Sequence, residues 1–241
     1  MRVRGAGAGR SEGIAAVGVR PVGVGPRPVA LSAGGSASVW GDLCVAVAFV
    51  TLTAALVWWP PLWELDVLVR DWVDRHRPPW AWALAQTMHH LGESLPLIAA
   101  VLVVAFGLSW RQRSLAPILL AGAAPVLSAS LIVALKIWTH RGGPHGGGVR
   151  LFEASAHVQY PSGHVANAIV YYGVLGVLLS AYLPASVRAL LDWLPGVLTS
   201  IGTTWLAYHW FTDAVAGLLL GVFVLRVLRR LPGRLTWPWS G

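Results

Sequence analysis

Residues 114–135 read SLAPILLAGAAPVLSASLIVAL and contain no charged side chain. A stretch of this length is enough for an α-helix to cross the hydrocarbon core of a bilayer, which takes about 20 residues. Five further apolar stretches lie near residues 43–59, 92–110, 165–184, 189–208 and 212–231. The sequence therefore predicts an all-α, polytopic membrane protein, with about six transmembrane helices in a bundle.

The overall composition supports the same class. Hydrophobic residues make up 56% of the 241 residues and charged residues only 12%. A soluble domain carries about 25% charged residues, so this chain is depleted in charge roughly twofold. Cys44 is the single cysteine and lies inside the first apolar stretch, which excludes a disulfide framework.

The basic residues are distributed unevenly along the chain. The net charge is +8, and most of the eighteen lysines and arginines fall in alternate connections between the apolar stretches. By the positive-inside rule, this pattern predicts a cytoplasmic amino terminus and an outward-facing opposite side. Membrane topology thus accounts for the positive charge, and a nucleic-acid partner is not needed to explain it. The arginines on the predicted cytoplasmic side are Arg2, Arg4, Arg10, Arg20, Arg27, Arg111, Arg113, Arg188, Arg226, Arg229, Arg230 and Arg234.

Three regions follow from this organisation. Residues 1–39 are rich in Gly, Ala, Val and Arg and are expected to form a disordered cytoplasmic tail, residues 40–234 the six-span membrane domain, and residues 235–241 a second cytoplasmic tail. The first external connection, 60–91, has near-helical apolar spacing that predicts an interfacial amphipathic helix, interrupted at Pro78-Pro79.

All eight histidines fall outside the apolar stretches or at their outer rim. The preference of histidine for the interface accounts for five of them, which are His76, His89, His90, His145 and His157. His164 and His209 differ because each comes with polar neighbours at meaningful spacing.

His209 and Asp213 lie four residues apart in Tyr208-His209-Trp210-Phe211-Thr212-Asp213. Residues at i and i+4 share one face of a helix, so the Asp213 carboxylate can hold one ring nitrogen of His209. The other nitrogen is then free to act as a nucleophile. The pair predicts a catalytic site at the outer end of the last apolar stretch.

Tyr160-Pro161-Ser162-Gly163-His164 opens the fourth apolar stretch. The first N–H groups of a helix have no internal partners, so Ser162 and Gly163 predict an anion site there. His164 would stand at its edge, where a protonated imidazole can donate to a leaving alkoxide.

Cationic side chains are expected beside this anion site. Lys136 is the only lysine of the chain and ends the third apolar stretch; Arg141 follows five residues later, and Arg150 lies beyond a glycine-rich segment. A lysine ammonium is a compact point charge suited to a phosphate oxygen. These residues predict a phosphoryl-binding group.

Three motifs together resemble the signature of the type 2 phosphatidic acid phosphatase family, the lipid phosphate phosphatases related to vanadium haloperoxidases. The motifs are Lys136 with Arg141 and Pro144, the segment from Tyr160 to His164, and His209-x-x-x-Asp213 followed by Ala-Val-Ala-Gly. The resemblance extends over roughly residues 43–231.

The resemblance implies hydrolysis of a phosphomonoester or diphosphate of a membrane lipid, without a metal or another cofactor. His209 would attack phosphorus and form a phosphohistidine, Asp213 would fix its tautomer, and His164 would protonate the leaving oxygen. Lys136, Arg141, Ser162 and the Gly163 N–H would hold the phosphoryl oxygens. The implied partners are a lipid phosphate substrate and the bilayer, and the identity of the lipid and the oligomeric state stay open.

The sequence departs from the family pattern at two places. Gly143 stands where an arginine is expected before Pro144, and Gly202-Thr203 stands where a Ser-Arg pair is expected. Each missing charge-assisted contact is worth about 1.5–3 kcal/mol. Arg141 is expected to substitute for the charge absent at Gly143, with Arg150 as the next candidate.

Two other functions fit parts of the sequence. The missing arginines are compatible with a catalytically silent relative that binds lipid phosphate headgroups, but retention of His164, His209 and Asp213 argues against it. A haem-binding membrane cytochrome would need histidines facing each other inside the spans, whereas these histidines cluster at one rim.

Overall fold

The computed structural model describes residues 39–153, 155 and 157–231. The regular secondary structure of these residues consists of helices without strands, as the all-α prediction requires. The predicted tails 1–39 and 235–241 lie outside the described residues, except for Val39. The helices are α1 (Val39–Trp58), α2 (Pro60–Arg75), α3 (Pro79–His90), α4 (Ser94–Gln112), α5 (Ala116–Thr139), α6 (Gly163–Leu178), α7 (Ala185–Trp205) and α8 (Phe211–Leu228).

The six predicted apolar stretches correspond to α1 and α4–α8. Within the described ranges, four of these helices (α1, α4, α5 and α8) are long and apolar enough to cross a membrane. Helix α6 is apolar but has 16 residues, and α7 has 21 residues that include Arg188 and Asp192. The chain is a multi-pass membrane protein.

The first connection contains two helices instead of one. Helix α2 begins with Pro60 and Pro61, where a missing backbone N–H costs nothing because the first helical N–H groups are unpaired anyway. The helical pattern ends at Arg75 and resumes at Pro79 as α3, so the predicted interruption at Pro78-Pro79 separates two elements. Each helix has a buried side, and α3 packs along α7 while α2 packs on α8.

Helix α6 is the central element of the bundle, in contact with α4, α5, α7 and α8. Two glycines of α8 let it approach α6 closely. A Cβ atom at Gly217 would lie 2.6 Å from the carbonyl oxygen of Ser162, and one at Gly221 would lie 2.8 Å from Cβ of Ile169. This close packing places the first turn of α8 beside the first turn of α6.

Ion pairs join α1, α7 and α8 at the other end of the bundle. Nε of Arg226, near the end of α8, donates to Asp42 at the start of α1 over 2.6 Å. Arg229 donates to Asp192 near the start of α7 over 2.5 Å. Since α8 begins with Phe211 and ends among these pairs, the charged end and the end that carries Asp213 are opposite ends of the bundle.

Candidate active site

The His209–Asp213 pair lies where α7 ends and α8 begins. Asp213 is fully buried, and its Oδ2 atom accepts a hydrogen bond of 3.1 Å from the backbone N–H of Trp210. An acidic side chain is favourable at this position because the first turn of a helix presents unpaired N–H groups and the positive end of its dipole. Nδ1 of His209 lies 3.6 Å from the same Oδ2 atom, a charge-pair distance longer than a hydrogen bond.

The start of α6 lies against this pair. Ser162 is the residue before the helix, and its backbone N–H donates to the carbonyl oxygen of Asp213 over 3.0 Å. The Ser162 side chain is buried, but its Oγ atom makes no helix-capping bond and has no hydrogen-bond partner among the described residues. Gly163 is the first residue of α6 and His164 the second.

Lys136 lies in the last turn of α5 and is partly buried. Its Nζ atom donates to the carbonyl oxygen of Val158 over 2.9 Å, in the segment that leads into Tyr160. The ammonium charge lies close enough to His164 and Asp213 to interact with both electrostatically. The single lysine of the chain is therefore at the same end of the bundle as the two histidines.

Arg141 has an environment different from the expected phosphate contact. Its side chain is fully buried, and one of its terminal nitrogens, Nη1, donates to Oδ1 of Asp213 over 2.5 Å and to Oγ1 of Thr212 over 2.7 Å. The other, Nη2, donates to Oδ2 of Asp66 over 2.5 Å, and Nε donates to the carbonyl oxygen of Val149 over 2.8 Å. The guanidinium is thus engaged by the protein itself.

Asp66 is a partner that the sequence interpretation missed. It lies on α2, is almost fully buried, and accepts hydrogen bonds from the backbone N–H (2.9 Å) and the hydroxyl (2.6 Å) of Thr212. Burial by itself lowers the pKa of Arg141, but the carboxylates of Asp213 and Asp66 outweigh it and raise that pKa. The Asp66–Arg141–Asp213 cluster ties α2, the α5–α6 connection and α8 together. An acidic residue on the polar side of an amphipathic helix carries no sequence signal of such a partner.

A third histidine also belongs to this end of the bundle. The ring of His89, in the last turn of α3, stacks on the ring of His164 with centroids 4.2 Å apart and an interplanar angle of 30°. His89 is only 8% exposed. Sequence interpretation had grouped it with the interface histidines, because nothing in the chain near residue 89 indicates that α3 meets α6.

Arg150 is separate from this group. Its side chain is exposed, and its guanidinium carbon lies 4.3 Å from the ring centroid of Trp63 on α2. The geometry is that of a cation–π contact. Of the predicted site residues, the structure brings together Lys136, Arg141, Ser162, Gly163, His164, His209 and Asp213, and it places Arg150 on the surface beside α2.

A bundle of apolar helices with two histidines, a lysine and a buried carboxylate at one end defines a multi-pass membrane protein with a polar site at the end of its helices. The family model of the PAP2 superfamily matches residues 40–237. Since this match covers most of the chain, the protein belongs to the PAP2 superfamily, as the three motifs indicated.

Two comparisons identify similar proteins. The chain is 26% identical over 164 residues to phosphatidylglycerophosphatase B of Bacillus subtilis (strain 168), which covers 64% of this chain and 76% of that protein. The fold is similar to the crystal structure of a transmembrane PAP2-type phosphatidylglycerolphosphate phosphatase from Bacillus subtilis, with a TM-score of 0.70, 20% identity and coverage of 83% of this chain and 100% of that one. Together with the family, the similarity to phosphatidylglycerophosphatase B supports a phosphatase.

Proposed function

We propose that the protein is an integral-membrane phosphatase that hydrolyses a lipid phosphomonoester or diphosphate through a phosphohistidine intermediate, without a metal. The observation that carries the proposal is the meeting of two helix starts. The buried His209–Asp213 pair at α8 and the Ser162-Gly163-His164 segment at α6 are joined by the hydrogen bond from the Ser162 N–H to the Asp213 carbonyl.

In the first step, Nε2 of His209 attacks phosphorus. Nδ1 lies on the side of Asp213, so the carboxylate favours a proton on Nδ1 and leaves the lone pair on Nε2. The P–N bond forms as the bond from phosphorus to the leaving oxygen breaks. His164 donates its proton to that oxygen, and a lipid alcohol (or, from a diphosphate, a lipid monophosphate) departs.

In the second step, a water molecule replaces the departed group. Neutral His164 takes a proton from the water as it attacks phosphorus, and the P–N bond breaks. Inorganic phosphate is released, and His209 and His164 return to their starting protonation states. The sum of the two steps is hydrolysis by one water molecule.

Lys136, the Ser162 hydroxyl and the N–H groups at the start of α6 are proposed to hold the phosphoryl oxygens. Ser162 Oγ has no partner among the described residues and is available to donate. We assign Arg141 a different role from the phosphate contact expected from sequence. Its bonds to Asp66, Thr212 and Asp213 support a positioning function, in which it holds the carboxylate that orients His209.

Apolar surface beside α5 supports a lipid substrate. Two neighbouring grooves of ≈ 390 and ≈ 360 Å³ run between α1 and α5, and their linings are almost entirely apolar. Leu135, next to Lys136, lines both grooves. Grooves of this size and lining suit an acyl or prenyl chain. Phe49, Val50 and Trp138 also line both grooves.

The proposed topology has six crossings, a cytoplasmic amino terminus and an outward-facing site. Arg111 lies in the last turn of α4 and Arg113 directly after that helix, while Arg226 lies in the last turn of α8 and Arg229 directly after it. These arginines lie at the end of the bundle opposite to Asp213, which is the arrangement that the positive-inside rule associates with the cytoplasm.

A catalytically silent relative remains the second candidate, because Gly143 and Thr203 provide no cation where the family pattern has arginine. One experiment decides between the two functions. Protein purified in detergent is incubated with chelator and with phosphatidate, phosphatidylglycerophosphate, and polyprenyl phosphates and diphosphates, and released inorganic phosphate is measured.

Release that is lost in His209→Ala supports the enzyme. Binding of these lipids without phosphate release supports the silent relative, and activity that requires an added divalent metal contradicts the metal-free scheme. The assay also identifies the preferred lipid.

A further inference from the structure

His89 reaches the site because α3 packs unusually close to α7. A Cβ atom at Gly202 would lie 2.6 Å from the carbonyl oxygen of Ala85, 2.7 Å from Cβ of Met88 and 2.8 Å from the backbone nitrogen of His89. Distances under 3.0 Å are essentially never seen for real Cβ atoms. Only glycine at position 202 therefore allows α3 to rest where it does.

Gly202 lies at one of the two places where the chain departs from the family pattern. The family pattern expects serine there and arginine at Thr203. Replacing serine by glycine removes the Cβ atom that would hold α3 away, and the helix that then approaches carries an imidazole. The absence of the Ser-Arg pair at residues 202–203 and the position of His89 are thus linked, because Gly202 allows the close contact between α7 and α3.

The ring of His89 is placed to contact a ligand. One face stacks on His164, and the edge of Tyr208 meets it at a centroid distance of 5.0 Å. Within the residues that the structure describes, neither ring nitrogen has a hydrogen-bond partner, and Nδ1 is buried. Buried polar atoms normally have partners. Nδ1 is enclosed by the protein, so Nε2 is the nitrogen of this ring that is left to bind a ligand beside the two other histidines.

We propose that His89 is a phosphoryl-binding residue, which donates its Nε2–H to an oxygen of the bound phosphate and replaces the arginine contact absent at Thr203. The inference rests on the proposed function, since it concerns the same site. Nδ1 is the buried nitrogen, so the tautomer with the proton on Nε2 directs its donor to the accessible side of the ring. Stacking on His164 holds that donor next to the proposed proton donor.

Direct binding of inorganic phosphate to the purified protein in detergent, measured by calorimetry, tests this inference. His89→Phe keeps the stacked ring but removes both nitrogens, and we expect it to weaken phosphate binding by about tenfold or more, the worth of one hydrogen bond to a charged group. KM for a lipid phosphate should rise by a similar factor, with a smaller change in kcat. His89→Gln, whose amide also donates, should recover part of the loss.

His90→Phe is the matched control. His90 is the next residue on α3, but its side chain is 59% exposed and interacts with Glu93. We expect the control to bind phosphate like the wild type. If His89→Phe does not fold, His89→Ala removes the ring without needing space and gives the same comparison.

The possible results separate this inference from the proposed function. Wild-type turnover with phosphate binding unchanged in His89→Phe overturns the role of His89 alone. Phosphate binding that depends on His89 without hydrolysis of any lipid phosphate supports the role of His89 and overturns the enzyme. Neither binding nor hydrolysis in the wild type overturns both.

Discussion

The guanidinium of Arg141 donates to the carboxylate of Asp213 over 2.5 Å, and neither side chain is exposed to solvent. The pair joins the connection after α5 to the first turn of α8, and Asp66 holds the other side of the same guanidinium. A charge buried in this way is costly unless it is paired and fully hydrogen-bonded. Asp213, the partner of the proposed nucleophile His209, is therefore held by a buried charge cluster.

Arg141→Ala should destabilise the protein by about 3–5 kcal/mol, because it leaves two buried carboxylates without their cation. Arg141→Lys should be intermediate, since an ammonium cannot reproduce the two-sided guanidinium contact. Unfolding in mild detergent, followed by circular dichroism, measures the effect. Arg150→Ala is the matched control, because that arginine is exposed and contacts the face of Trp63. Its change in stability should stay within about 0.5 kcal/mol.

Another result would support the sequence-based expectation that Arg141 contacts the phosphate. If Arg141→Ala unfolds like the wild type and only raises KM for a lipid phosphate, Arg141 binds the substrate and the positioning role is wrong.

The loss of rate in His164→Ala should depend on the leaving group of the substrate. His164→Ala removes the proposed proton donor, and loss of general acid catalysis costs about 10²–10⁴ in rate on a lipid phosphomonoester. An aryl phosphate with an acidic phenol needs little protonation, so the same variant should be slowed much less. Comparison of kcat/KM for the two substrates in wild type and variant gives the ratio.

The phosphoenzyme provides the complementary measurement. Acid-labile label from the substrate should be trapped on the wild type and be absent from His209→Ala.

An equal loss of rate on both substrates in His164→Ala would mean that His164 does not protonate the leaving oxygen.

Gly202→Ala should destabilise the protein and displace α3. The added Cβ atom meets the backbone of α3, which cannot move away like a flexible side chain, so a cost of about 1–3 kcal/mol is expected. Gly122→Ala is the control because a Cβ atom there has no heavy atom within 4 Å. It lies inside α5, where alanine is favoured over glycine by up to about 1 kcal/mol. Equal stability of the two variants would contradict the close α3–α7 packing.

Protonation of His89 should make stability depend on pH. Burial lowers the pKa of His89 below its usual value of 6.5, and the charges of His209 and His90 add to this shift against the opposing effect of Glu93. As the pH falls below about 6.5, the unfolded chain binds a proton that the folded protein does not bind at this ring, so stability decreases.

The wild type should therefore lose more stability than His89→Phe between about pH 7.5 and about pH 5. Melting temperatures in detergent across this range measure the difference. His164 and His209 are present in both proteins, so the difference between the two curves reports the His89 ring together with its coupling to these neighbours. Parallel curves for the two proteins would contradict the burial of an ionisable ring at this position.

Labelling of single cysteines tests the membrane topology. In a Cys44→Ser background, a cysteine at Gly146 should react with an impermeant thiol reagent in intact cells, and a cysteine at Gln112 should react only after the membrane is opened. Gly146 is suitable because it is exposed and a Cβ atom there meets nothing within 4 Å, whereas one at Gly147 would lie 2.5 Å from Cα of Gly142. The opposite labelling pattern would invert the proposed orientation.

The apolar helices were predictable from local sequence patterns. Each apolar stretch forms a helix because its composition leaves no other way to satisfy backbone hydrogen bonds in a membrane. The neighbourhood of His164, His209 and Asp213 also follows, because these residues start helices at the same end of the bundle. Asp66 and His89 were not predictable. Their roles arise from packing between elements that are distant in sequence, and at Gly202 the decisive signal is the absence of a side chain.

The glycine-rich connection after α5 divides into two parts with different tolerance to change. Gly142, Gly143 and Pro144 are buried, and the carbonyl oxygens of Gly142 and Pro144 accept hydrogen bonds from the Trp210 indole and from Arg70. The following residues, 145–147, are exposed. Gly147 packs against Gly142, whereas a Cβ atom at Gly146 meets nothing within 4 Å. An epitope or a small reporter inserted beside Gly146 should therefore leave the anchored part in place, which offers a position for tagging next to the proposed site without an addition at either terminus.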